Sequence, residues 1–190
     1  MNLLLMLLLM TPVQEDPTLT EMPEGWVTGK KSGWDGDYPP EWEKKTDEEK
    51  KKFLEQWNNA KFRYIKFMQN AKGNPTPPVT GANYMLKAVN GGLKIPQVLD
   101  LAMFGQNQKL KEPEFKIMMK SACSVYGTEV PHADAVTIVK DLITAGLKGV
   151  ALETRVKAEI AKKDKELQEA KAKKEKEEQE KKDKEGKDKK

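Results

Sequence analysis

One short stretch that occurs twice constrains the fold of this chain more than any other feature. Ala88-Val89-Asn90-Gly91-Gly92-Leu93-Lys94 returns as Leu142-Ile143-Thr144-Ala145-Gly146-Leu147-Lys148, with an apolar helical turn before each copy and a second helical pattern after it. A glycine just past the last periodic residue can take the left-handed conformation that closes a helix, and the leucine after it then folds back on the last turn. Leu147 is expected to meet Leu142 in this way. Tyr126-Gly127-Thr128-Glu129-Val130-Pro131 reads as a third corner, because it shares with Gly92-Leu93-Lys94-Ile95-Pro96 a proline four residues after the glycine. Proline suits a first helical turn, where no amide hydrogen is needed. The repetition reads either as ordinary helix ends of a small bundle or as an internal duplication of a helix pair.

The expected fold class is therefore all-α: a small irregular bundle of helix, glycine corner, helix units. Helices are expected near Gly81–Asn90, Pro96–Gln108, Pro113–Tyr126, His132–Ala145 and from Val150 onward. Their apolar positions give a core of Leu99, Met103, Phe115, Met118, Met119, Val136, Val139, Leu142, Ile143, Leu152, Val156 and Ile160. A longer helix precedes them. Thr46-Asp47-Glu48-Glu49 is a capping box, and Phe53, Trp57, Ala60, Tyr64, Phe67 and Ala71 follow at alternating four and three spacing. Phe62 lies off that stripe. Gly73-Asn74-Pro75-Thr76-Pro77-Pro78 ends this helix and reads as a short stiff linker.

Composition decides how far this core reaches. Only 37 % of the 190 residues are apolar while 34 % are charged, and the deficit lies beyond Lys162. Four segments follow: a leader and acidic stretch at 1–20, a tryptophan segment at 21–46, the helical domain at 47–160 and a Lys/Glu-rich tail at 161–190. The tail loses its apolar stripe after Leu167, so a solvated single helix that frays past Gly186 is expected in place of a coiled coil.

In the segment at 21–46, Trp26, Trp34 and Trp42 recur every eight residues among glycines and prolines. That density argues for an extended, turn-rich chain with the indoles on one side. These three residues are the candidate partner or ligand contacts. They form either a strap that buries its rings on the helical core or an exposed aromatic ladder for a glycan, a peptide or another subunit. Asp35-Gly36-Asp37 lacks the further oxygen ligands of a calcium loop and reads as turn chemistry.

At the other end, Leu3 to Met10 is an uninterrupted apolar run of signal-peptide length, with neither a basic residue before it nor a clean cleavage site after it. It points to an exported or envelope-associated protein whose leader contacts membrane, with a cytoplasmic protein as the alternative.

Groups for catalysis are scarce. His132 is the only histidine and Cys123 the only cysteine, and neither stands at ligand spacing. His132 reads as a surface or capping residue and Cys123 as a small buried one. No phosphate loop, metal site or cofactor site is expected. The net charge of +4 arises from interspersed Lys and Glu or Asp, with arginine only at Arg63 and Arg155, so nucleic acid is not the expected partner. The sequence thus reads as a non-enzymatic binding or scaffold protein acting through protein or glycan contacts. The alternative is a cytoplasmic Lys-rich accessory protein of a nucleic-acid or ribonucleoprotein assembly.

Overall fold

The computed structural model describes residues 23, 25–71, 73 and 75–187; the leader run at 3–10 and the acidic stretch after it lie outside the described residues. The fold is all-α. A single turn α1 (Gly25–Thr28) and a 3-10 turn at Trp42–Lys44 precede six longer helices: α2 (Asp47–Asn70), α3 (Pro78–Asn90), α4 (Ile95–Asn107), α5 (Glu112–Ala122), α6 (His132–Thr144) and α7 (Gly149–Lys187). Among the described residues the only β feature is an isolated bridge between Ser32 and Tyr38.

Helix α2 starts where its capping box sets it. The Glu49 amide donates to Thr46 Oγ1 at 3.2 Å and the Thr46 amide donates to the Glu49 carboxylate at 2.8 Å. Its buried face is Trp57, Ala60, Tyr64 and Met68, while Phe62 is 49 % exposed on the far side. That face packs on α3 and α4. Tyr64 reaches in far enough for Gln106 Nε2 of α4 to donate to its hydroxyl at 2.6 Å. Room for the phenol exists because residue 81 is glycine: a Cβ there would stand 1.8 Å from Tyr64 Oη. The stiff linker is fastened as well, since Thr76 is fully buried and donates to the Leu110 carbonyl at 3.0 Å.

The two glycine corners close as the sequence requires. Leu93 N–H reaches Ala88 O and Gly92 N–H reaches Val89 O, both at 3.0 Å; Leu147 N–H reaches Leu142 O at 3.0 Å and Gly146 N–H reaches Ile143 O at 2.9 Å. This is the doubly bonded helix ending that a left-handed residue permits, and Gly92 and Gly146 have φ of 93° and 89°. The third ending of this kind is not at Gly127. It stands at the end of α4, where Leu110 N–H bonds Gly105 O at 3.0 Å and Lys109 N–H bonds Gln106 O at 2.9 Å. Lys109 occupies the glycine position with φ 52°, and Leu110-Lys111 follows it as Leu-Lys follows the two glycines. The chain at Gly127 is built differently, because α5 first tightens into a 3-10 turn at Cys123–Val125. Lysine is strained in the left-handed region, so Lys109→Gly is expected to raise stability by about 1 kcal/mol. Chemical denaturation of the full chain measures it.

The repetition extends beyond the corners. The offset that carries Gly92 onto Gly146 also carries all of α3 onto α6, the start of α4 onto the start of α7, and the N-cap Pro77 onto the N-cap Pro131. Met85 and Val139, Val89 and Ile143, Val98 and Leu152, Ala102 and Val156, and Gln106 and Ile160 fall at equivalent positions, and every one is buried. One offset thus aligns α3 with α6, the start of α4 with the start of α7, the two corners and these buried positions. Helix α5 lies between the two pairs, packing on α3, α4, α6 and α7.

Burial follows the expected core, with Met103 and Leu142 only partly covered. The boundary expected after residue 160 falls inside one helix, because α7 runs on unbroken to Lys187. Trp26 and Trp42 of the segment at 21–46 belong to the same buried cluster as the helices. Among the described residues no helix is long and apolar enough to cross a membrane.

Candidate functional site

The glycine corner at the end of α3 and the tryptophan segment meet at one side chain, Asn90. Its Oδ1 accepts from the Trp26 indole at 2.7 Å, its Nδ2 donates to Gly36 O at 3.0 Å, and its carbonyl accepts from Gly33 N–H at 2.9 Å. Asn90 is only 4 % exposed, so these bonds replace water that cannot reach it. The Trp42 indole then donates to Trp26 O at 2.7 Å, linking the two indoles in series. The rings themselves pack on α2: Trp26 lies 5.1 Å from Trp42, 5.4 Å from Phe53 and 6.0 Å from Trp57 between centroids.

The three candidate contact residues therefore separate. Trp26 and Trp42, at 3 % and 4 % exposure, belong to the core, and neither ring is free to meet a partner. This corrects the picture of three equivalent indoles along one side of an extended chain. The segment is not extended throughout, because Trp26 sits in the helical turn α1 and Trp42 opens a 3-10 turn.

Trp34 remains half-buried, at the tip of a turn closed by Gly36 N–H to Gly33 O at 2.7 Å. That turn admits no side chain at residue 36, where a Cβ would stand 2.4 Å from the Ser32 carbonyl carbon. The Trp34 ring lies 6.5 Å from Tyr84 of α3, with the planes 8° from parallel. Tyr84 in turn donates its hydroxyl to Glu112 Oε1 at 2.9 Å, and desolvation together with that carboxylate holds the phenol above its usual pKa. Lys87 pairs with Asp35 at 3.3 Å beside the turn.

Asp35-Gly36-Asp37 is turn structure. One carboxylate faces Lys87 and the other accepts from the Lys30 amide at 3.0 Å. No cluster of ligating side chains occurs among the described residues.

Cys123 and His132 each have a local structural task. The Cys123 sulfur lies 3.4 Å from Met119 O and 3.6 Å from Ala88 O, and burial pushes its pKa up to about 12, away from the reactive thiolate. It fills the space above Gly91, where a Cβ would come within 2.7 Å of it. His132, at the start of α6, accepts through Nδ1 from the Lys94 amide at 3.4 Å and so ties that helix to the corner before α4. Desolvation and then the Lys94 charge hold its pKa below the ordinary 6.5.

The folded protein thus prefers neutral His132. Stability from this group is fully present above pH 6.5 and is lost as the pH falls through the folded value. Thermal melts of the full chain between pH 7.5 and pH 5 are expected to show a smaller loss for His132→Asn than for the parent, because asparagine has no proton to gain.

Glu114 joins the other two corners. Its carboxylate pairs with Lys148 at 3.0 Å and accepts from the Lys111 amide at 3.1 Å, and those contacts lower its pKa. Lysine has no acceptor atom, so only this half of a capping box exists at Lys111.

Tyr84, Asn90 and Glu112 were not legible as site residues in the sequence. Tyr84 and Asn90 read only as positions on a helix, and their partners lie on distant segments. Comparison with protein-family models, with curated proteins and with solved structures finds no match to this chain.

Proposed function

We propose that this protein is a non-enzymatic helical binding or scaffold protein, exported or envelope-associated, that meets a protein or glycan partner through the face formed by Trp34 and Tyr84. The observation that carries this reading is the near-parallel Trp34–Tyr84 pair, half-exposed where the turn that Asn90 fixes from beneath meets α3. A rigid aromatic pair loses little side-chain freedom on contact, and aromatic residues are enriched where interfaces and ligand grooves form. Glu112, Asp35 and Lys87 border it with groups that hydrogen-bond to amides or hydroxyls. The apolar run from Leu3 to Met10 supports the export part of the reading. Against a polyanion partner stands the pairing of Lys87, Lys120, Lys140, Lys148, Lys163 and Lys171 with carboxylates, which cancels the field that such a ligand follows.

The test is binding of the full chain to envelope proteins and to a glycan array, alongside Trp34→Ala. Binding that falls at least about tenfold in Trp34→Ala, with the melting temperature nearly unchanged, is the expected result. Equal binding by parent and variant, or none by either, contradicts the proposal, and the array decides between the two partner classes.

A further inference from the structure

We infer that α7 beyond Lys171 is a self-supporting, ion-paired strut that holds the head at a fixed distance from the C-terminal end of the helix. This rests on observations independent of the Trp34 face. The first half of α7 is bound to the body: Leu152, Val156 and Ile160 are buried, Lys163 pairs with Asp134 at 2.8 Å, and Asp164 accepts from the Glu129 amide at 2.6 Å. Leu167 is the last apolar residue against the core, and Lys171 reaches Glu129 at 3.5 Å. From there the helix continues to Lys187 with residues 172–179 exposed. At 1.5 Å per residue this is a projection of about 24 Å.

A helix that leaves its body without an apolar stripe must be held by its own side chains, since short isolated helices are marginal in water. Pairs four residues apart already supply this before the helix departs: Arg155 with Glu159, Lys157 with Glu153 at 2.7 Å, and Lys165 with Glu169 at 3.7 Å. The sequence carries the same spacing onward. Lys165, Glu169, Lys173, Glu177, Lys181 and Glu185 follow one another in the sequence at four-residue spacing with alternating sign, the spacing at which helical side chains pair. Lys174, Glu178 and Lys182, and likewise Lys176, Glu180 and Lys184, alternate at the same spacing in the sequence. Rows of alternating sign leave no face of one charge for a lipid surface or a nucleic acid, and no apolar seam for a second helix. What this pattern does supply is stiffness, as in other charged helical spacers.

The experiment uses the full chain with Cys123→Ala and spin labels at Lys171→Cys and Lys187→Cys. A single narrow distance distribution centred near about 24 Å at low ionic strength, broadening as salt screens the pairs, is expected. A broad coil-like distribution at low salt overturns the inference. A second measurement isolates the ladder. The double substitution Lys173→Glu with Lys181→Glu places like charges at every position of this row from 169 to 185 and is expected to reduce circular dichroism at 222 nm without moving the thermal transition of the head. Adding Lys165→Glu, Glu169→Lys, Glu177→Lys and Glu185→Lys to this variant, which restores alternation along the row, is expected to return the signal. An undiminished signal in the like-charge variant would show that the ladder does not hold the helix.

Discussion

Trp26→Ala is expected to destabilise the folded protein by about 4 kcal/mol. Its ring fills the space bounded by Trp42, Phe53 and Trp57, with centroids within 6.0 Å of it. The change also strands Asn90 Oδ1, which is buried and has lost its donor. Trp42→Ala should cost about 3 kcal/mol for the same reason, leaving Trp26 O without its indole partner. Trp34→Ala should stay within about 1 kcal/mol, because that ring is half in solvent. Equilibrium denaturation of the three variants orders them. Equal small effects at all three positions would mean that the segment is not part of the fold.

The matching corners supply an internal control for the second large effect. Asn90 and Thr144 occupy the same position in the two copies, the last helical residue before the corner. Asn90→Ala removes both side-chain bonds and leaves the Trp26 indole and the Gly36 carbonyl unpaired beneath the strap, at an expected cost of about 3 kcal/mol. Thr144→Ala should cost within about 0.5 kcal/mol, since Thr144 is exposed and its hydroxyl only returns to Lys140 O at 2.8 Å. The difference between the two variants, read from paired denaturation curves, measures what the strap adds to one copy of the repeat and not to the other.

Much of the architecture was legible because the signals were local. Apolar spacing, the Thr46 capping box and the two glycines act over one or two helical turns, so helix identity and the buried faces followed from the sequence. The corner at Lys109 was missed because its left-handed residue is not a glycine, and the cost of placing lysine there is borne by the packing of Leu110, which is 6 % exposed. Gly127 was grouped with the corners on its proline spacing, a feature that says where the next helix starts and not how the previous one closes. The tryptophan spacing marks one segment but does not divide its roles. The Trp26 indole is bonded to Asn90, which lies 64 residues away, and no periodicity reports such a pairing. The single turn α1 was hidden for a related reason: four residues with Trp26 N–H bonded to Pro23 O at 2.8 Å are held by the core beneath them and not by helix propensity.

Hydrogen exchange at the tryptophan indole N–H groups tests the central claim, that this segment is a strap in which Trp34 alone faces outward. In the full chain at neutral pH, the indole protons of Trp26 and Trp42, bonded to Asn90 Oδ1 and Trp26 O at 2.7 Å each, are expected to exchange as slowly as the amides of the helical core. The Trp34 indole should exchange within the dead time. Fast exchange at Trp26 and Trp42 while the core amides of α3 and α5 stay protected would contradict it, and would return all three indoles to the solvent-facing surface.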